Sequence, residues 1–325
     1  MKNRITRAVL AATAASLTLA TVATATAAQA ATDPVSRTDI VAHFDMAKGQ
    51  SPENALIEPN GSVDVTFAGA HQVARIEPNG TTHILATLPA PADGGVHTPV
   101  LGFALATGLA RTPDGTLYAL YATGTKDLTG LWRLKPGHKT PERIAALPAN
   151  SLPNGLAFDL RSNAFYITDS VLGRVWSVPS HGGRATAWST APELTPHGFL
   201  GANGARVHDG ALWVTNLDQG TVVRIPIGND HRAGRPAIQA TGLQGIDDFA
   251  FTGRGNEILA ALNKPNKIVR ITDDGKNTTV LNASDGLQNP TSVAVRGKDV
   301  YIPSAAYTTA TDPNLLHARL VRHGH

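Results

Sequence analysis

The chain of 325 residues contains no cysteine. That excludes disulfides, iron–sulfur clusters, thiolate-held zinc and a cysteine nucleophile. Packing and hydrogen bonds alone must hold the fold. Aromatic residues amount to 5% of the chain, and no aromatic patch in the sequence promotes a protein-interaction scaffold. Lys/Arg clusters with interleaved aromatics are also missing, so a nucleic-acid partner is not expected. After the first thirty residues no apolar run reaches the roughly 18 residues that span a bilayer.

Those first thirty residues are of another kind. Lys2, Arg4 and Arg7 form a basic start, an Ala/Leu/Val/Thr run follows from Ala8, and Ala28-Gln29-Ala30 offers small residues for cleavage. This is the pattern of a secretory signal peptide removed after Ala30. A secreted protein with no membrane attachment is the expectation. Arg4 and Arg7 are not adjacent, so a twin-arginine route is not indicated. The whole chain carries +3 and the leader three cations and no acid, so residues 31–325 come to 3 − 3 = 0. Net charge therefore offers no argument for a polyanionic partner.

What is present is a repeat. Six first runs align: "ENALIEPNG" from 53, "TGLARTPDG" from Thr107 (counting from its polar head), "NGLAFDLRSN" from 154, "NGARVHDG" from 203, "DDFAFTGRGN" from 247 and "TSVAVRGKD" from 291. Second runs align with them ("SVDVTF", "TLYALY", "AFYITD", "ALWVTN", "EILAAL", "DVYIPS"), as do third runs such as "QVARI", "GLWRL" and "KIVRI". A weaker fourth run, such as "THILATLP", closes most units. Short β-branched and aromatic runs parted by Pro-Asn-Gly, Pro-Asp-Gly or Asp-Gly are strands joined by tight turns. Four strands at a period of about 45 residues is the pattern of β-propeller blades. The expectation is an all-β, six-bladed β-propeller with four-stranded antiparallel blades, a single domain over 31–325, and a monomer. A pair of β-sandwiches would not need the fixed four-run unit. The last unit lacks an obvious fourth strand, and "TDIVAHFD" at 38–45 is placed to supply it and close the ring.

In a propeller the innermost strands line a central channel, so their heads converge. The heads here are Glu53, Thr107, Asn154, Asn203, Asp247 and Thr291, one oxygen-bearing side chain per blade. Hard oxygens around one axis suit Ca²⁺ or Mg²⁺ rather than a soft metal. Taken singly, each Asn-Gly pair also reads as turn chemistry, because Asn bonds its own backbone there. Turn chemistry does not require Glu53 and Asp247 to fall on the same line.

These motifs resemble the SMP-30/gluconolactonase/LRE-like family: Glu-x-apolar in the first blade, "PNGL" with a "TDS" strand end in the third, and Asn-Gly in the next. The resemblance spans most of 50–305 and implies a six-bladed propeller that hydrolyses lactones with a divalent ion at one mouth of its channel. It places metal ligands on Glu53, Asn154 and Asn203, with Asp247 joining them from the ring of strand heads. It also marks a departure, because the family's ligand and favoured base is an aspartate where this chain has Asn203. An amide can ligate through oxygen but cannot accept a proton at neutral pH. A second-blade asparagine of the family corresponds to Thr107. The segments "GANGARVHDGALWVTN", "IDDFAF" and "NPTSVAV" look closer to a divergent branch that includes fungal hetero-Diels–Alderase-type propellers.

Two functions follow from this. One is a secreted hydrolase of a lactone or related cyclic ester that uses Ca²⁺, with Mg²⁺, Mn²⁺ or Zn²⁺ as alternatives. With Asn203 unable to act as base, the proton acceptor is sought among Asp247, Asp248, His97 and His197, the histidines lying in loops just upstream of first strands. The other is a non-hydrolytic propeller that binds or orients a small molecule over the same mouth, as its amide-rich rim suits. Elsewhere, Trp132, Trp176 and Trp213 read as packing between blades. Arg75, Arg133, Arg224 and Arg270 read as solvent-side pairs of small value. Asp169 and Asn216 read either as groups that orient ligands or as ordinary strand-end turn residues.

Overall fold

The computed structural model describes residues 34–321. The leader segment 1–30 and its cleavage point lie outside the described residues. Apart from three single-turn 3₁₀ segments, the regular structure is all strand. The strands form six four-stranded sheets, five of them running in sequence order from an innermost to an outermost strand and the sixth completed by the first strand of the described chain.

Blade 1 starts with Pro52–Ile57, blade 2 with Leu105–Arg111 and blade 3 with Pro153–Asp159. Blades 4, 5 and 6 start with Ala202–His208, Ile246–Phe251 and Ala294–Arg296. All pairings within blades are antiparallel, and each innermost strand lies beside the next, with blade 6 returning to blade 1. The outermost strand of blade 6 is Asp39–His43, paired with Asn314–Arg319 near the other end of the chain. The segment 38–45 thus closes the ring as its sequence suggests. Closure of the ring fastens the last blade to both ends of the described chain.

Apolar side chains that alternate along the strands fill the spaces between blades. Blade 5, for instance, packs Leu259, Ala261 and Ile268 against Val300, Ile302 and Leu316 of blade 6. Trp132 and Trp213 are buried in such interfaces. Trp176 is partly buried against the core and donates from Nε1 to Asp169 Oδ2 at 3.0 Å.

The repeated third-strand arginines divide into two kinds. Arg75 forks onto Asp64, which has no exposed surface, with Nε–Oδ1 at 2.7 Å and Nη2–Oδ2 at 2.8 Å. Arg270 likewise reaches buried Glu257, at 2.5 Å from Nη2. These two are ties to buried acids, and the expectation of solvent-side pairs fails for them. A buried acid cannot be left unpaired without a large cost. Arg133 keeps to an exposed partner, Glu142, and Arg224 only to the Asp209 carbonyl.

Candidate functional site

The innermost strands show why polar residues recur at their heads. In blades 1 to 5 the pairing with the second strand slips once, between Pro52 and Asn54, Ala106 and Leu109, Pro153 and Leu156, Ala202 and Ala205, and Ile246 and Phe249. Each slip is a β-bulge, which frees a residue from the ladder and re-aims its side chain. The residues freed are Glu53, Thr107, Asn154, Asn203 and Asp247. In blade 6 Thr291 follows an isolated bridge, Pro290 to Ser304, at the same level.

A closed circuit of hydrogen bonds fixes these bulges, one at each blade interface. Thr66 Oγ1 donates to the Thr107 carbonyl at 2.6 Å, and Thr107 Oγ1 to the Pro153 carbonyl at 2.8 Å. Thr168 donates to the Asn203 carbonyl and Thr215 to the Asp247 carbonyl. The Asp248 amide donates to the Thr291 carbonyl at 3.2 Å, and Thr291 Oγ1 to the Pro52 carbonyl at 2.9 Å. Thr66, Thr168 and Thr215 each also accept an amide of their own blade's bulge, from Asn54, Gly155 and Gly204. The carbonyls of Thr107, Asn203, Asp247 and Thr291 are thus spent between blades. Thr107 and Thr291 spend their hydroxyls in the circuit too, so the ring reduces to Glu53, Asn154, Asn203 and Asp247.

The residue after each head explains the glycine. A Cβ on Gly155 would lie 2.2 Å from the Asn203 carbonyl oxygen, and one on Gly204 would lie 2.4 Å from Asp248 Oδ1. Neither glycine has positive φ. Close approach of neighbouring inner strands demands them, and the tight-turn reading of Asn-Gly does not hold here. The same position in blades 1, 5 and 6 carries Asn54, Asp248 and Ser292, which form one buried knot. Asp248 Oδ2 accepts from Asn54 Nδ2 at 2.8 Å, Ser292 Oγ at 3.0 Å and Arg206 Nη2 at 2.6 Å. Asp248 Oδ1 accepts the Phe249 amide at 2.8 Å.

Above this knot the two ring acids are less well matched. Glu53 and Asp247 are both buried, and neither has a Lys, Arg or His partner among the described residues. Burial pushes the Glu53 carboxyl up to about 7, a hydrogen bond from Tyr307 opposing the shift and the charge of Asp248 adding to it. Burial also pushes Asp247 well above the usual carboxylate range, with the charges of Glu53 and Asp248 adding and a hydrogen bond from Asn203 opposing. Asn203 is 1% exposed, and its Oδ1 has no hydrogen-bond partner. An orphaned carbonyl beside two acids short of positive charge is a hard-oxygen arrangement that a divalent cation would complete. Among the described residues no group of three or more His, Asp and Glu is arranged to hold a metal ion.

Tyr307 escaped the sequence reading. Its hydroxyl donates to Glu53 Oε2 at 2.6 Å across 254 positions of sequence. It stands in the connection 305–313 after the second strand of blade 6, longer than its counterparts 68–71, 170–173 and 217–220. An aromatic in the longest of the connections between second and third strands was the signal available. Burial, followed by the charges of Glu53 and Asp247, holds the Tyr307 phenol well above its usual value.

His97 and His197 stand in the connections leading into blades 2 and 4, at the end of the ring where the heads lie, both exposed. His97 lies 3.9 Å from Asp93. Asp169 and Asn216 hold stretches at this end, Asp169 the entry to blade 3 and Asn216 the entry to blade 4. Asp169 Oδ1 accepts the Leu152 and Leu172 amides at 3.0 Å each, and Asn216 Nδ2 donates to the Glu193 and Thr195 carbonyls at 3.0 and 2.9 Å. They clamp loops, as strand-end turn residues do.

Neither a family profile nor a curated protein matches this sequence. Solved structures match it at the level of the fold. A calcium-binding protein, regucalcin, from Agrobacterium tumefaciens is 13% identical, with 89% of this chain and 96% of that one covered and a TM-score of 0.63. A putative gluconolactonase is also 13% identical, covering 89% and 94% at a TM-score of 0.63. A virginiamycin B lyase from Staphylococcus aureus, solved with quinupristin, is 17% identical over 84% and 82% at a TM-score of 0.59. The chain is a six-bladed β-propeller similar in fold to regucalcin and gluconolactonase-like structures.

Proposed function

We propose that this chain is a divalent-cation-dependent hydrolase of a lactone or related cyclic ester, exported after cleavage at Ala30. The observation that carries the proposal is the pairing of buried, uncompensated Glu53 and Asp247 with the orphaned Asn203 Oδ1 at one mouth of the channel. Glu53, Asn154, Asn203 and Asp247 would hold the ion, with Ca²⁺ best suited to so many neutral and anionic oxygens. A bound divalent ion polarises a carbonyl and lowers the pKa of water.

Within the chain, Asp247 is the proton acceptor of choice. Burial raises its carboxyl above the usual carboxylate range in the cation-free chain, the direction in which a carboxylate becomes a better base. Asp248 drops out, because three side-chain donors and an amide already occupy it. His97 and His197 are exposed rim groups and are assigned contacts with the substrate's outer part. In hydrolysis, water oxygen bonds to the lactone carbonyl carbon while its proton passes to Asp247. The ring C–O bond then breaks and the leaving oxygen takes the proton back, giving a hydroxy acid. Tyr307 holds Glu53 Oε2 and leaves Oε1 as that residue's donor to the site. The test is turnover of a lactone panel with calcium and with chelator. Hydrolysis lost on chelation and in Asp247→Asn supports the reading, and no turnover of any lactone by calcium-loaded protein refutes it.

One observation favours a second reading, non-hydrolytic binding of a small molecule. Asn203 is an amide where the resembled family has an aspartate, and amides fix orientation without taking protons. A cation-free protein that binds its ligand at full affinity would decide for this reading.

A further inference from the structure

Ten large apolar side chains are exposed among the described residues. Six of them, Met46, Val96, Val100, Phe103, Phe199 and Tyr307, stand in connections at the end of the ring where Glu53 and Asp247 lie. Three of the others are on outermost strands, and Leu160 alone is at the opposite end. The apolar exposure is thus concentrated at one end of the ring, which scattered surface residues would not produce.

The opening is also built. Leu101 of the connection into blade 2 packs with Leu152, Leu200, Val171 and Leu217, so the loops of blades 2, 3 and 4 share one apolar footing. Asp218 Oδ2 accepts the amides of His197 and Phe199, both at 2.8 Å, which fixes the loop that carries exposed Phe199. Val100 has φ of 64°, a conformation disfavoured for a β-branched residue, and its side chain is 58% exposed. Tyr307 joins the two zones, its ring partly exposed and its hydroxyl on Glu53. A polyhydroxylated ligand would lose water from its hydroxyls against these side chains and gain few partners. An alkyl or aryl group would bury itself and theirs.

We propose that the site takes a lactone bearing an alkyl or aryl substituent, its ring over Glu53 and Asp247 and its substituent on this apolar crown. The proposal rests on the hydrolase reading for the lactone and on the crown for the substituent, and the two are separable. With calcium bound, kcat/KM is measured for γ-lactones with linear alkyl chains from methyl to octyl and for gluconolactone. The expected result is a rise of about twofold to fourfold per added methylene while the chain is being covered, with gluconolactone about tenfold below the best alkyl lactone. The double variant Phe199→Ser, Val96→Ser should flatten that slope. A flat or falling slope in the wild type, a preference for gluconolactone, or a slope untouched by the double variant would overturn the proposal. Calorimetry with the matching alkyl lactams runs in parallel. Lactam affinity that climbs with chain length without lactone turnover upholds the crown and refutes the hydrolase. Turnover with neither series climbing does the reverse.

Discussion

Raising the pH of the cation-free protein should destabilise it, and Glu53 gives the size of the effect. The unfolded carboxyl titrates near 4.5, and in the fold burial holds it up to about 7. The folded state therefore keeps a proton that the unfolded state releases. Its contribution to stability is whole below pH 4.5 and is lost as pH rises through about 7. A shift of about 2.5 units at about 1.36 kcal/mol each makes this about 3 kcal/mol. Asp247, raised by the same burial, works in the same direction. Asp64 contributes as well, since burial lifts it to about 7 despite its tie to Arg75, and the comparison with Glu53→Gln separates it. Urea unfolding with chelator, from about pH 4.5 to about pH 8, should show the wild type losing about 3 kcal/mol more than Glu53→Gln. Calcium at about 100 times its Kd should return about 2.7 kcal/mol at the upper pH. A cation-free wild type whose stability stays level or climbs over this range, or matches Glu53→Gln throughout, refutes the reasoning.

Three substitutions test the parts that aim the site. Tyr307→Phe removes the donor on Glu53 Oε2, and should change calcium affinity by about tenfold while the melting temperature moves little; titration calorimetry reads the first and scanning calorimetry the second. Thr215→Val strands the Gly204 amide and the Asp247 carbonyl, and should cost about 2–6 kcal/mol in urea unfolding, at about 1–3 for each buried group. Gly155→Ala forces a methyl to 2.2 Å from the Asn203 carbonyl, so blades 3 and 4 must part. A loss of about 1–3 kcal/mol or more in unfolding is expected, and an unchanged midpoint would remove the close-approach explanation.

The blades were legible in the sequence because four apolar runs recur with turn residues between them, and a strand needs little more than its alternation. Closure by 38–45 was legible because one unit was a strand short. The ring of heads could be read because Glu53, Asn154, Asn203 and Asp247 fall at equal places in the repeat. Bulges were not legible, since a slip of one residue leaves no mark in composition. The glycines looked like turn residues because the contact that requires them lies in the next blade. Arg75 looked like a surface cation because its partner, Asp64, sits at an apolar-looking strand position and is buried only once blades 1 and 2 meet. Tyr307 reaches Glu53 only when the ring closes, and the extra length of its loop has no equivalent in the counterparts 68–71, 170–173 and 217–220.

The claim that Glu53, Asn154, Asn203 and Asp247 share one guest is tested most directly by titrating calcium into chelator-treated protein. One ion per chain is predicted, with binding abolished in Glu53→Gln and in Asp247→Asn. A protein that binds no ion, or one whose binding survives both substitutions, contradicts the account.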